Sequence, residues 1–281
     1  MWTIFRKRLA LPIPLRNQSY QRHLIPSTFC RCFSELSHWK DVKPDETPFE
    51  ILKQYTSVPL EKYHVFLPPK ESLVKSSDLF SKRNEYIVHK GAIHPDKLPD
   101  TKELEVALLG QSNVGKSSLI QALYNHNEAL RIKTSKKPGH TKVIKIYSYP
   151  KNFSLVDMPG FGENMPKYFE ECVENYCVMR RQLTRLLLLI DAEQGITDID
   201  NIALDMLEEF NRPYVIVLTK IDKCHISQLI RTIINVQERI KMTLHCSFQQ
   251  PFLVSSKQDL GLHHLRCFIA YVTGCISIRN L

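Results

Sequence analysis

A chain of 281 residues with 43% hydrophobic content can bury a full-sized core in one large or two ordinary domains. No apolar run approaches the ~20 residues of a membrane span. The eight cysteines, at 30, 32, 172, 177, 224, 246, 267 and 275, form neither a C-x-x-C pair nor a Cys/His grouping with zinc spacing, so they read as free thiols of a reducing compartment. The formal charge of +9 invites a nucleic-acid reading, but its location argues otherwise. Arg6, Lys7, Arg8, Arg16, Arg22 and Arg31 lie in residues 1–33 with no acid among them, and removing these six leaves only +3 for residues 34–281.

Residues 1–33 alternate hydrophobic with basic residues, contain Ser and Thr, and have the composition of a cleavable mitochondrial presequence. A secretory signal needs an apolar stretch of about 7–15 residues, and Pro12 and Pro14 interrupt the one candidate. Arg31-Cys32-Phe33-Ser34 resembles a cleavage region; the alternative is a basic tail that is never removed. Residues 34–84 are punctuated by Pro44, Pro48, Pro59, Pro68 and Pro69, so no long element fits. They read as an N-terminal extension that packs on the following domain or stays apart from it.

From about residue 85, strands alternate with amphipathic helices. Candidate strands are 103–109, 143–149, 153–156, 186–190, 214–218 and 252–254, with helical patterns near 117–124, 165–182, 198–210, 226–243 and 259–272. Such alternation predicts an α/β domain over 85–281, with a mostly parallel six-stranded sheet covered on both faces and ligands at the carboxyl ends of the strands.

The first strand runs into Gly110-Gln111-Ser112-Asn113-Val114-Gly115-Lys116-Ser117, which fits G-x-x-x-x-G-K-S/T and leads into a helix starting near Ser117 and Ser118. Glycines let the backbone turn its N–H groups toward a polyphosphate, and the helix dipole points the same way. Lys116 would reach the β- and γ-phosphates, and the Ser117 hydroxyl would ligate Mg²⁺. This predicts a P-loop NTPase. Next, Pro138-Gly139-His140-Thr141 lies in a polar connection, where the Thr141 hydroxyl can meet Mg²⁺ and its N–H the γ-phosphate. Then Asp157-Met158-Pro159-Gly160 ends a strand as D-x-x-G: Asp157 can hold Mg²⁺ through a water, and Gly160 can bring an N–H to the γ-phosphate. Lys116, Thr141 and Gly160 are thus the catalytic candidates, and Ser117, Thr141 and Asp157 the metal-site candidates.

Thr219-Lys220-Ile221-Asp222 follows an apolar strand and fits N/T-K-x-D. An Asp222 carboxylate can accept from guanine N1–H and the 2-amino group, both absent from adenine; leaving such a site unsatisfied can cost a factor of roughly 10⁴–10⁵ in selectivity. The Lys220 stem would lie over the base. Ser255-Ser256-Lys257 after the last strand could offer N–H groups to guanine O6.

These five motifs in this order resemble the TrmE-Era-EngA-EngB-septin-like GTPases, and their wording narrows the resemblance to the EngB family. Residues 110–120 are close to that family's GRSNAGKSSLI, 134–141 to TSKTPGRT, 155–162 to LVDLPGYG and 188–198 to LLxDxRxGxTxxD. Two departures are His140 for the usual Arg and Glu193-Gln194 for the usual Arg-His type pair. The resemblance implies a GTP-hydrolysing switch in assembly of the large ribosomal subunit, recognising its rRNA or proteins, with Mg²⁺ and GTP or GDP bound. With the presequence, the chain resembles the mitochondrial branch of the family in animals, which implies the matrix, the mitochondrial ribosome and a monomer without a membrane span. A Gln often follows D-x-x-G in related switches; here Phe161 stands there, so slow intrinsic hydrolysis is expected. In several relatives an Asn at the position of Asn113 helps bind K⁺, an ion that could supply the missing charge. The alternatives are a GTP sensor that hydrolyses negligibly, or a switch acting on another mitochondrial RNA or protein.

Overall fold

The computed structural model of the chain describes residues 39, 46–81, 86–89, 91–127, 130, 132, 143–162 and 168–278. The presequence reading and the loop with Pro138, Gly139, His140 and Thr141 lie outside the described residues.

The apolar run 186–190 explains why a sheet forms and how it is covered. Leu186, Leu188 and Ile190 project into one core and Leu187 and Leu189 into a second, all of them fully buried. A strand that alternates between two apolar layers is the pattern of a central parallel strand, and each such side chain contributes roughly 1.5–3 kcal/mol on burial. This strand, β5 (Leu183–Asp191), lies between β2 (Leu104–Gly110) and β6 (Tyr214–Thr219), parallel to both. The remaining strands are β1 (Ile87–Val88), β3 (Lys145–Tyr149), β4 (Phe153–Asp157) and β7 (Phe252–Leu253), and the order is β1-β3-β4-β2-β5-β6-β7. Pairings β4–β2–β5–β6–β7 are parallel, while β1–β3 and β3–β4 are antiparallel.

All six expected strands are present, and the fold is the α/β P-loop arrangement. The seventh, β1, has only two residues, both exposed, so it carries no alternation that a sequence pattern could show. Helices α4 (Phe169–Met179), α5 (Asp198–Glu209) and α6 (Ile226–Thr243) cover one face. Helices α2 (Lys70–Ser81), α3 (Lys116–Leu123) and α7 (Leu262–Val272) cover the other. The short α1 (Pro48–Leu52) joins the first face, its start set by a capping box between Thr47 and Glu50 with Pro48 at the first position. Residues 46–81 are therefore packed into the domain: Phe49, Leu52 and Leu60 enter one core, and Phe66, Leu73 and Phe80 the other. Among the described residues no helix is long and apolar enough to cross a membrane.

Two arginines fix the frame around β2 and α3. Glu105, fully buried near the start of β2, receives Arg180 through both carboxylate oxygens (2.6 and 2.9 Å), with Tyr176 and Thr101 each donating at 2.6 Å. Arg266 of α7 donates to the carbonyls of Ala122 (2.7 Å) and Leu123 (2.8 Å), capping the C-terminus of the helix that leaves the phosphate loop.

Candidate functional site

The phosphate loop joins β2 to α3, and Gly115, at φ 108°, occupies the left-handed region at the helix entry. Lys116 is buried, and its Nζ donates to the carbonyls of Gly110 and Gln111, both at 2.9 Å, so the ammonium is held inside the arch of the loop. Val114 is buried beneath the loop, while Asn113 (φ 66°) is exposed at its crest and Ser118 lies in the first turn of α3. Burial pulls the Lys116 ammonium down to about 8, against the opposing pull of Asp157. A bound polyphosphate would supply the anion that this cation lacks.

The D-x-x-G segment leaves β4 alongside the same loop. Ser117 donates to Oδ2 of Asp157 at 2.7 Å. Met158 is buried, and its N–H donates to Leu108 at the other side of the β2–β4 pair. After Pro159, the backbone at Gly160 presses on the phosphate loop: an added Cβ would lie 2.9 Å from both Lys116 Nζ and the Ser112 nitrogen. Ser112 N–H then donates to the Phe161 carbonyl (2.9 Å), and Phe161 N–H to the Gly110 carbonyl (3.2 Å). The Phe161 ring is buried in the core, so this residue joins the two segments through its main chain and contributes no water-orienting side chain.

At the carboxyl end of β6, Thr219 donates to the Val114 carbonyl at 2.8 Å and ties the base-recognition turn to the phosphate loop. Lys220 sits at φ 58°, and Ile221, fully buried, anchors the turn from below. Asp222 accepts a 2.6 Å hydrogen bond from the Ser255 hydroxyl. Ser255 differs from expectation in one respect. Its N–H is committed to the Leu260 carbonyl (3.1 Å), so it acts by orienting Asp222 and is not available to guanine O6. Ser256 and Lys257, in the turn beyond, remain the candidate donors to O6.

The structure thus brings Gly110–Ser118, Asp157–Gly160, Thr219–Asp222 and Ser255–Lys257 to one edge of the sheet, at the carboxyl ends of β2, β4, β6 and β7. A family model described as a 50S ribosome-binding GTPase matches residues 105–220. The GTP-binding protein EngB of Roseobacter denitrificans is 34% identical over 212 residues, covering 73% of this chain and 95% of that protein. That of Clostridium kluyveri is 36% identical over 165 residues, 57% of this chain and 82% of the relative. The chain belongs to the EngB family. Among solved structures, the Aquifex aeolicus Era variant bound to GDP and aluminium fluoride is 24% identical at a TM-score of 0.46, over 61% of this chain and 57% of that one.

As an EngB GTPase the chain hydrolyses GTP, and its donor set can be tested for the metal such an enzyme uses. Asp157 is buried, and its Oδ1 has no hydrogen-bond partner among the described residues. Burial raises its carboxyl above the ordinary range, while the Ser117 bond, Lys116 and Lys145 oppose the rise. An orphaned buried carboxylate oxygen beside a hydroxyl is a hard-oxygen pair suited to Mg²⁺. Ser117 and Asp157 fit the ion, which when bound would neutralise phosphate charge.

Two contacts of this EngB chain escaped the sequence reading. Gln111 Nε2 donates to Thr197 Oγ1 (2.8 Å) and to Oδ1 of the buried Asp200 (3.0 Å), linking the phosphate loop to the capping box of α5. The G-x-T-x-x-D spacing at Gly195, Thr197 and Asp200 was the available signal, because it is an N-cap pattern. The second contact is an ion pair: Lys220 Nζ meets Asp191 Oδ2 at 2.6 Å, which holds the lysine stem across the base-recognition turn.

Proposed function

We propose that this GTPase is a conformational switch in assembly of the mitochondrial large ribosomal subunit. The observation that carries the switch reading is the pair of main-chain hydrogen bonds joining Ser112 and Gly110 to Phe161, with Gly160 packed on Lys116. A segment hydrogen-bonded to the phosphate loop moves when a γ-phosphate arrives or leaves. The ribosomal partner is supported by the description of the matching family as 50S ribosome-binding. Location in the matrix is supported by the acid-free basic residues 1–33. With Phe161 unable to orient water, hydrolysis is slow until the partner, Thr141 through a water, or K⁺ at Asn113 completes the site. The supplied stabilisation is worth about 10³–10⁵ in related systems.

Sedimentation of tagged full-length protein from mitochondrial lysate tests the partner. Migration with the large subunit in the presence of a non-hydrolysable GTP analogue, and loss of it with GDP, is the expected result. Migration with membranes, or as free protein under every nucleotide, would overturn it. Turnover compared in KCl and NaCl at equal ionic strength tests the ion, and equal rates remove K⁺.

A further inference from the structure

Residues of the segment 46–66 pack against β7 and the loop that follows it. β7 is a two-residue strand that, among the described residues, ends the sheet and pairs with β6 alone. Its position therefore depends on what packs on its other side. Gln250, buried two residues before β7, accepts from the N–H groups of both Val65 and Phe66 at 2.7 Å. The Phe66 ring meets Phe252 of β7 and Phe268 of α7 edge-on, at 5.8 and 5.4 Å between centroids.

The strand continues into a loop closed on itself, with Ser255 and Leu260 exchanging both main-chain hydrogen bonds at 3.1 Å. That closed loop rests on Gly261, which sits at φ 68°. A Cβ there would fall 2.0 Å from the Leu253 carbonyl and 3.4 Å from Pro48 Cγ, so Pro48 lies close to the base of the loop. A continuous path of contacts thus runs from residues 46–66 through Gln250, β7 and Gly261 to Ser255, which orients Asp222, and to the turn at Ser256 and Lys257.

We propose that residues 46–66 belong to the base-recognition apparatus, fixing the Ser256–Lys257 turn where guanine O6 must be read, with Gln250 and Pro48 as positioning residues. The inference rests on the assignment of that turn to O6 and of Asp222 to the N1 and N2 edge. Those two edges can be read separately. The diphosphate of 6-thioguanosine is O6-less, with a weakly accepting sulfur there, and keeps N1–H and the 2-amino group, whereas inosine diphosphate keeps N1–H and O6 and lacks the 2-amino group.

The test uses the full chain and measures affinities for GDP and both analogues well below the melting temperature. Gln250→Leu leaves the Val65 and Phe66 N–H groups unpaired, the second of them buried; it should narrow the preference for GDP over the O6-less analogue about tenfold, while the preference over inosine diphosphate stays within about twofold. Gln250→Glu, which keeps an acceptor for both N–H groups, should restore the first preference. Pro48→Ala, a smaller perturbation should the first variant not fold, should narrow the same preference alone. If both preferences fall together, or neither moves in a destabilised variant, the segment is a general support and the proposal fails. If the unsubstituted protein does not distinguish GDP from the O6-less analogue, it is the base-site assignment that fails.

Discussion

The Ser117 hydroxyl donates to Oδ2 of Asp157 at 2.7 Å, while Oδ1 of the same carboxylate has no partner among the described residues. Replacing Ser117 by Ala removes one of two oxygen donors, and apparent Mg²⁺ affinity should fall about 10–100-fold. Titrating Mg²⁺ against the GDP dissociation rate reads this directly. A Ser117→Ala protein whose GDP release still slows at the original Mg²⁺ concentration would remove Ser117 from the metal site.

Asp222 is aimed by the Ser255 hydroxyl at 2.6 Å. Asp222→Asn exchanges an acceptor for a donor, so GTP affinity should drop at least about 100-fold and xanthosine triphosphate, with a carbonyl in place of the 2-amino group, should gain. Competition binding with the two triphosphates checks the reversal. Unchanged GTP affinity would mean that another group reads the base.

Lys116 is held at about 8 in the folded protein against its ordinary 10.5. Between those values the unfolded chain holds more protons than the folded one, so nucleotide-free stability rises with pH across that window. Phosphate binding needs the charged form, so GDP affinity should fall over the same window, opposite in sign to stability. Urea midpoints and GDP titrations from about pH 7 to about pH 9 test both signs; an affinity that stays flat contradicts the assignment.

Gly160 has no room for a side chain beside Lys116 Nζ and Ser112. Gly160→Ala should displace the D-x-x-G segment and lower hydrolysis about 10²-fold, the scale of losing one positioned donor, while GDP affinity changes little. Single-turnover GTP hydrolysis beside GDP binding separates the two; equal loss of both would indicate damage to the phosphate loop itself.

Arg180→Ala leaves the buried Glu105 carboxylate without its cation. The expected cost is about 3–5 kcal/mol of folding stability, measured as a shift in urea midpoint. Because Glu105 lies at the end of β2 away from the phosphate loop, GDP affinity well below the melting temperature should be retained.

The run 186–190, the strand-then-glycine loop at 110–117 and the strand-end motifs at Asp157 and Asp222 were legible as local patterns. Their chemistry follows from residue type, spacing of a few residues and position at a strand's end, so a P-loop guanine-nucleotide site could be read before any fold was seen. The partners of those residues were not legible in this way. Gln111 reaches Asp200 across 89 residues, Thr219 reaches Val114 across 105, and Gln250 takes the N–H of Val65 across 185. Of the three N–H groups expected at guanine O6, that of Ser255 is spent within the Ser255–Leu260 closure. Such pairings leave no periodicity in the chain, because they are decided by which side chains the packed sheet and helices bring within about 3 Å of one another. The docking of residues 46–81 belongs to that second class: prolines hid any repeat there, and only two separate cores with space for Phe49, Leu60, Phe66 and Phe80 show where the segment lies.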